Sequence, residues 1–254
     1  MNIQMNNTQT KTKTYVLHID DNEKNIFKNS ANKNMIDDTH FNYFKGVDGK
    51  QFIKEYSDYL SDFNQNLFRT DELDLYNYIQ SYKNKYNKPL ISSCGAWGHL
   101  LSFINIIEDA ILNEYDRIII YEFDAIFINN YNYHFNKFKS IICDSERPIV
   151  YLGASQLNWS DIIIKENMYH ANNYTNGTFA IVFDKIVFTE YLHLLKLKII
   201  PSDTCIFFLK KPKYVFYPNL VIADITVSKI RTKQDIKKIS KILKWNLKYY
   251  NLYI

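Results

Sequence analysis

Residues 117–124 constrain the fold of this chain more than any other stretch. Four consecutive apolar residues, 118–121, lie between Arg117 and two acids, Glu122 and Asp124. A short apolar run with polar boundaries is typical of a strand that is buried on both faces, as in a parallel sheet. This stretch therefore predicts a central strand whose end carries two carboxylates.

An amphipathic helix is predicted immediately before this strand. Leu100, Ile104, Ile107 and Ile111 recur at the spacing of one helix face. Short apolar runs alternate with helical patterns elsewhere in the chain, and further strands are predicted at residues 15–19, 41–44, 149–152, 178–183 and 214–217. This order predicts an α/β fold with a mostly parallel sheet flanked by helices. The chain has no internal repeat and no linker, so we expect a single domain.

The two ends of the chain differ from its centre. Residues 1–13 are polar and predict a flexible leader, and residues 14–231 form the predicted domain. Residues 232–254 predict a basic amphipathic helix with lysines on its outer face. Its predicted inner face consists of Ile236, Ile239, Leu243 and Leu247. Residues 129–139 mix polar and aromatic side chains and are predicted to be a loop.

Positive charge is concentrated near the C-terminus. From residue 228 onwards the chain has eight Lys or Arg and one Asp, so this segment carries +7 and the other 227 residues carry −3 of the net +4. A solvated helix face explains such a segment, and basic amphipathic helices also bind anionic membrane surfaces. No nucleic-acid-binding motif accompanies the charge, so we do not expect a nucleic-acid partner.

The sequence predicts a cytoplasmic protein. No apolar stretch is as long as a bilayer span requires, and the first residues lack the apolar core of a signal peptide. Cys94, Cys143 and Cys205 are odd in number and lack metal-site spacing, which is typical of reduced thiols. We expect a cytoplasmic location. Peripheral contact with a membrane through the basic helix is a second possibility that is compatible with it.

The two acids at the end of the central strand are candidate ligands for a metal ion. Side chains two residues apart on an extended segment point the same way, so Glu122 and Asp124 are predicted to lie together. Ligands bind at strand ends in open α/β sheets. Carboxylate oxygens suit Mg²⁺ or Mn²⁺ that carries a substrate phosphate. The alternative is a strand end with two solvated acids.

Several short motifs along the chain occur in the order and spacing of a known family. They are Leu17-His-Ile-Asp20, Gly46-Val-Asp-Gly49, Cys94-Gly-Ala-Trp-Gly-His99, Glu122-Phe-Asp124, Leu152-Gly153, Gly177-Thr178, Pro201-Ser-Asp203 and Ser228-Lys-Ile230. On these motifs the chain resembles glycosyltransferase family 25, the lipopolysaccharide and collagen galactosyltransferase type. The resemblance implies a GT-A fold, which is a Rossmann-like nucleotide-binding α/β sandwich, a UDP-sugar donor and Mn²⁺ or Mg²⁺.

The resemblance also implies roles for individual acids. Asp124 and Glu122 match the metal-binding motif, and Asp224 is a candidate third ligand from a late loop. Asp20 and Asp21 follow the first strand, where the resemblance places the nucleotide. Asp48, next to Gly49, is a candidate contact to the base or ribose of the nucleotide. For Asp20, Asp21 and Asp48 the alternatives are a helix N-cap or an ordinary turn.

An inverting sugar transfer requires a base for the acceptor hydroxyl. Asp203 is the candidate, and a helix cap is the alternative. His99 is predicted to orient a carboxylate or to contact a phosphate, and the alternative is a buried histidine. Trp97 and Trp159 are either sugar-stacking surfaces or core residues. The predicted function is metal-dependent transfer of a hexose from a UDP-sugar to a hydroxyl of a glycan or protein. The alternative is an inactive scaffold of the same fold or a sugar-binding protein.

Overall fold

The computed structural model describes residues 10–65, 70–142, 144, 146–227, 235–250 and 252. Within these residues the strands are β1 Thr12–His18, β2 Phe41–Lys45, β3 Arg117–Glu122, β4 Ala125–Phe127, β5 Ile149–Gln156, β6 Met168–His170, β7 Thr175–Asp184, β8 Lys213–Phe216 and β9 Val221–Ala223. The helices are α1 Asp21–Lys33, α2 Ile53–Gln65, α3 Leu73–Tyr86, α4 Cys94–Leu112, α5 Tyr131–Lys137, α6 Lys139–Ile142, α7 Phe188–Lys196, α8 Ser202–Phe208 and α9 Ile236–Leu243.

A central sheet organises the described part of the chain. Its seven strands follow the order β2-β1-β3-β7-β5-β8-β6. The pairs β1–β2, β1–β3 and β5–β8 are parallel, whereas β7 runs antiparallel to both β3 and β5, and β6 runs antiparallel to β8. The expected α/β fold with a mostly parallel, helix-flanked sheet in a single domain is confirmed, and it is Rossmann-like.

The alternation of side chains along each strand divides the core into two layers. Tyr15 and Leu17 of β1 pack on one face with helices α2, α3, α4, α7 and α8. Val16 packs on the other face with α1 and the C-terminal segment. All residues from 117 to 121 of β3 are buried, as its apolar run predicts. The sheet is therefore covered on both sides, as parallel sheets require.

Helix α4 is held in place at its N-terminus by close backbone contact. Ser93 caps the helix and accepts a hydrogen bond from Ala96 N at 3.1 Å. A methyl group on Gly98 would lie 2.5 Å from Gly49 N. The two glycines therefore allow the loop after β2 to lie directly on α4, and this contact explains the glycines at residues 49 and 98.

A second, two-stranded sheet lies beside the end of β3. Strand β4 pairs antiparallel with β9, with Ala125 opposite Ala223. The sequence analysis predicted neither strand, because three-residue strands leave too short a pattern to read. The prediction of a loop at residues 129–139 was wrong, since α5 and α6 cover most of this range. Tyr131 and Phe138 bury their rings against the core and hold these short helices.

The C-terminal segment packs against the domain. Helix α9 ends at Leu243, because Lys244 adopts a left-handed conformation with φ 54°. The chain then turns inward, and Trp245 Nε1 donates to Ala154 O at 3.1 Å. The predicted helix over residues 232–254 is thus shorter than expected, and Leu247 belongs to a separate 3-10 turn. Residues 228–234, 251 and 253–254 lie outside the described residues.

The N-terminal end of the domain also differs from the expectation. Strand β1 begins at Thr12, so the last two residues of the predicted leader belong to the sheet. Residues 1–9 lie outside the described part of the chain. None of the helices in the described residues combines the length and the apolar character that crossing a membrane requires.

Candidate functional site

A cavity of about 840 Å³ opens at the edge of the sheet where β3 ends. Its floor contains Glu122 and Asp124, and one wall contains Asp203 of α8. Helix α3 contributes a further wall with three tyrosines, Tyr78, Tyr82 and Tyr86. The predicted base lies about 80 residues after the two predicted metal ligands in the sequence. The topology brings all three acids to the same cavity.

Asp124 lies in the turn that joins β3 to β4. Its Oδ1 atom is shielded from solvent and has no hydrogen-bond partner in the described structure. Burial of the carboxyl group raises the pKa of Asp124 well above its ordinary value, and the nearby acids Glu122 and Asp224 raise this pKa further. An unpaired buried carboxylate oxygen is costly for the fold, so this position favours a cation or a proton.

Glu122 is the centre of a polar network on the cavity floor. Thr178 Oγ1 donates to Glu122 Oε1 at 2.6 Å, and His99 Nε2 lies 3.2 Å from the same oxygen. On the other side of the imidazole, His99 Nδ1 and Ser202 Oγ are hydrogen-bonded at 2.8 Å. His99 therefore links β3 to α8 and orients the Glu122 carboxylate. This arrangement matches the predicted orienting role for the histidine.

The β4–β9 pairing brings Asp224 next to Asp124. One residue beyond the Ala125–Ala223 pair, Asp224 N donates to Asp124 O at 2.7 Å. The Asp224 side chain also caps its own turn, where Oδ1 accepts from Thr226 N at 3.0 Å. The structure therefore places the third predicted metal ligand beside the first, although no strand was predicted at either residue.

Asp203 lies in the first turn of α8 and faces the cavity. Its Oδ1 accepts a hydrogen bond from Thr204 N at 2.8 Å, while the N-cap position itself is occupied by Pro201. The side chain is half-buried. Asp203 is thus placed within the cavity and is not the N-cap residue of the helix.

The predicted nucleotide contacts lie at the same edge of the sheet but not in this cavity. Asp20 caps α1 and accepts from Glu23 N at 2.9 Å, Asp48 caps a 3-10 turn and accepts from Lys50 N at 3.0 Å, and Asp21 is exposed in the first turn of α1. The capping alternatives for Asp20 and Asp48 are therefore realised. Parallel pairing of β1, β2 and β3 still places all three acids near the end of β3.

Glu23 is a functional candidate that the sequence analysis missed. It is only 1% exposed, and its Oε2 accepts from Ile19 N at 2.6 Å. Its charge contributes to the raised pKa of Asp124. The spacing of Asp20 and Glu23 is that of a capping box, a signal that could have identified this buried acid.

For Trp97 the structure realises the alternative of a core residue. The ring is 3% exposed and packs against Tyr56 and Tyr59 in the core, with ring centroids 6.1 and 5.4 Å away. Trp159 is half-buried, packs beside Tyr169 and does not line the cavity. The aromatic side chains that line the cavity include the three tyrosines of α3 together with Tyr174, Phe179 and Phe207.

The donor set on the cavity floor fits a divalent cation that is also bound by its substrate. In the described residues no three His, Cys, Asp or Glu side chains are arranged to hold a metal ion by themselves. Mg²⁺ and Mn²⁺ in phosphate-handling sites commonly take one or two carboxylates together with substrate phosphates and water. The unpaired Oδ1 of Asp124 is suited to such a site, and Glu122 or Asp224 is near enough to influence its charge.

No protein-family model matches the chain, and no curated protein gives a significant sequence match.

Proposed function

We propose that this protein is a metal-dependent glycosyltransferase that acts in the cytoplasm. It transfers a hexose from a UDP-sugar to a hydroxyl group of a glycan or a protein, with inversion at the anomeric carbon. The proposal builds on the resemblance of the sequence motifs to glycosyltransferase family 25 and on the geometry of the cavity. The single observation that carries it is Asp124, a buried carboxylate with an unpaired oxygen at the end of a central parallel strand.

The cavity floor supplies the binding groups for the donor in this proposal. Asp124 would hold Mn²⁺ or Mg²⁺, with Glu122 and Asp224 as the neighbouring carboxylates that increase the negative potential. A divalent cation bound there would neutralise the charge that develops on a leaving diphosphate. His99 Nε2, at 3.2 Å from Glu122 Oε1, and a hydrogen bond of 2.6 Å from Thr178 fix the orientation of Glu122, so the floor is organised before the donor binds.

Asp203 supplies the base on the acceptor side. Its carboxylate takes the proton of the acceptor hydroxyl while the acceptor oxygen forms a bond to the anomeric carbon. The bond between that carbon and the diphosphate oxygen breaks, and its electron pair leaves on UDP. Thr204 N holds one carboxylate oxygen of Asp203 at 2.8 Å, which leaves the second oxygen for the hydroxyl.

A non-catalytic protein that binds a sugar or a partner with this fold is the competing function. One observation favours this competing function: the Asp224 carboxylate already caps its own turn, so one of its oxygens is used within the protein. Turnover separates the two functions, because a non-catalytic protein binds a nucleotide-sugar without releasing UDP.

The test combines binding with turnover. The full chain is screened against nucleotide-sugars with Mn²⁺, with Mg²⁺ and with EDTA, and both the melting temperature and released UDP are measured. A ligand that binds only the folded state raises the melting temperature by mass action. We expect a metal-dependent shift with one UDP-sugar, together with UDP release.

Two variants test the central motif. Asp124→Ala is expected to abolish the metal-dependent shift and UDP release, whereas Asp58→Asn, which changes an exposed acid on α2, is expected to behave as the wild type. Unchanged metal-dependent donor binding by Asp124→Ala would show that the metal site is assigned to the wrong residue. Donor binding without UDP release in the wild type would favour the non-catalytic protein.

A further inference from the structure

Helix α3 presents two different faces to the domain. Leu75 and Ile79, at 0% and 2% exposure, pack its inner face into the core. Tyr78, Tyr82 and Tyr86 recur every four residues on an adjacent face and line the cavity. We call these three side chains the tyrosine ladder. Tyr78 and Tyr82 are partly buried and also pack against the core, so the ladder contacts both the core and the cavity.

The rings of the ladder form a continuous aromatic surface. The ring centroids of Tyr78 and Tyr82 lie 6.3 Å apart, and those of Tyr82 and Tyr86 lie 4.8 Å apart. Exposure increases along the ladder, from half-buried Tyr78 and Tyr82 to Tyr86, which is 48% exposed. Eight residues of helix rise about 12 Å, which exceeds the length of a single pyranose ring.

The inner end of the ladder lies next to the proposed base. Burial raises the pKa of the Tyr78 hydroxyl, and the nearby charges of Tyr82 and Asp203 raise it further. Thr204 N binds the Asp203 carboxylate at 2.8 Å, and Tyr78, Asp203 and Thr204 all line the cavity. A ligand that stacks on the ladder therefore extends from Asp203 towards the mouth of the cavity. The ladder thus connects the acceptor side of the proposed reaction with the solvent.

Polar side chains near the ladder match the hydroxyl groups of a sugar. Ser81 and Ser92 and the amides of Asn173 and Asn176 line the same cavity. Hydroxyls and amides both donate and accept hydrogen bonds, as sugar hydroxyls do. A proline-rich peptide, which also binds aromatic grooves, offers carbonyl acceptors only and would leave the acceptor atoms of these groups unpaired.

The charges that line the cavity argue against an anionic ligand on the tyrosine ladder itself, where no metal ion is proposed to compensate them. Among the described residues that line it, Lys85 is the cationic one, whereas Glu122, Asp124 and Asp203 are acids. Single-stranded nucleic acid also stacks on aromatic side chains, but it requires a positively charged groove. An uncharged ligand with apolar ring faces and hydroxyl edges fits this combination.

We propose that the tyrosine ladder is the acceptor platform of this protein and that it binds an uncharged oligosaccharide of more than one sugar. As an acceptor site the ladder depends on the proposed glycosyltransferase function, whereas the glycan-binding surface itself does not. The apolar faces of successive sugar rings lie on Tyr78, Tyr82 and Tyr86, and the sugar at the Tyr78 end presents its hydroxyl to Asp203.

The test measures glycan binding in the absence of any donor. The full chain is applied to an array of neutral, amino and acidic oligosaccharides of increasing length, and the bound glycans are then titrated by calorimetry. Neutral glycans are expected to bind, and their affinity is expected to rise with length up to the span of the ladder. Each of Tyr82→Ala and Tyr86→Ala is expected to weaken binding about tenfold, the loss of one stacking surface.

Matched variants keep the result interpretable. Tyr76→Ala removes a tyrosine of the same helix that is 42% exposed but lies outside the cavity, and it is expected to bind as the wild type does. Tyr86→Trp retains an aromatic face and is expected to retain binding. Three results would each refute the proposed acceptor platform. The first is equal binding by the wild type and both alanine variants, and the second is a preference for acidic glycans or for a proline-rich peptide. The third is that no glycan binds at all.

UDP release from the donor separates this proposal from the proposed reaction. Tyr76→Ala, at a residue that does not line the cavity, is expected to release UDP by donor hydrolysis at the wild-type rate. A protein that binds glycans on the ladder but releases no UDP with any donor would retain the platform and refute the transferase.

Discussion

Asp224 donates its backbone N–H to the carbonyl oxygen of Asp124 over 2.7 Å, and this bond joins two acids that lie one hundred residues apart in the sequence. The bond extends the β4–β9 ladder by one pair. The pairing holds the two acids so close that the charge of Asp224 adds to the effect of burial and of Glu122 in raising the pKa of Asp124. The stability of the fold therefore depends on the protonation of Asp124.

The first prediction concerns the stability of Asp124→Asn without metal. Burial and two neighbouring acids raise the pKa of Asp124 above its value in the unfolded chain. The folded state therefore binds more protons, and its stability falls as the pH rises through the raised pKa. Asp124→Asn removes this penalty and is expected to be more stable than the wild type at pH 8 by on the order of 1 kcal/mol, or about 2–4 °C in melting temperature.

The gain from Asp124→Asn is expected to shrink as the pH falls, because the wild-type carboxyl becomes protonated and neutral. Thermal unfolding at a series of pH values in EDTA measures this dependence. A variant that is less stable than the wild type at every pH would contradict a raised pKa for Asp124.

The second prediction concerns the proposed base. Asp203→Asn keeps the size of the side chain and the acceptor atom for Thr204 N, but it cannot take a proton. Sugar transfer is expected to fall roughly 10²- to 10⁴-fold, while the affinity for the donor stays unchanged. Initial rates with a saturating acceptor and donor titration measure the two effects. Asp161→Asn, at an exposed residue, is the control, and an unaffected transfer rate in Asp203→Asn would exclude it as the base.

The third prediction concerns His99, which bridges Glu122 and Ser202. The Ser202 side chain is 1% exposed, so His99→Ala leaves a buried hydroxyl without this partner. The expected cost is about 1–3 kcal/mol in the free energy of unfolding, measured by urea denaturation. His99→Gln, which keeps hydrogen-bonding groups, is expected to recover part of the loss. His40→Ala, at a side chain that is 86% exposed, is expected to have no measurable effect.

The fourth prediction compares two glycines of α4. A methyl group on Gly98 would lie 2.5 Å from Gly49 N and from Val47 O, so Gly98→Ala is expected to destabilise the fold by about 1–3 kcal/mol. Gly95 is exposed in the same helix, and Gly95→Ala is expected to stabilise it by up to about 1 kcal/mol through helix propensity. Urea denaturation measures the free energy of unfolding of both variants. Equal changes in the two variants would argue against close packing at Gly98.

Much of the sheet could be predicted from the sequence because its strands are buried on both faces. The run at residues 118–121 has no polar interruption, and this pattern indicates a central strand. The neighbours of that strand could not be predicted, because β7 enters between β3 and β5 from 50 residues downstream and runs in the opposite direction. Direction within a sheet is a property of the assembled chain, not of one strand.

The candidate site was partly predictable for the same reason. Glu122 and Asp124 lie at the end of a strand whose apolar pattern is clear in the sequence, and both line the cavity. Their expected proximity rested on continued strand alternation, but β3 ends at Glu122 and a turn carries Asp124. The tyrosine ladder was not predicted, because helical spacing alone does not reveal whether a stripe of side chains faces the core or a cavity.

The position of β7 has a consequence for how the protein is made. A nascent chain shorter than residue 175 contains β1, β2 and β3 but lacks the strand that covers the other side of β3. The unpaired backbone of β3, flanked by isoleucines that are buried in the finished domain, is then a template for pairing with other chains. Synthesis must therefore pass residue 184 before the N-terminal half is safe from aggregation, and fragments that end earlier are expected to be insoluble.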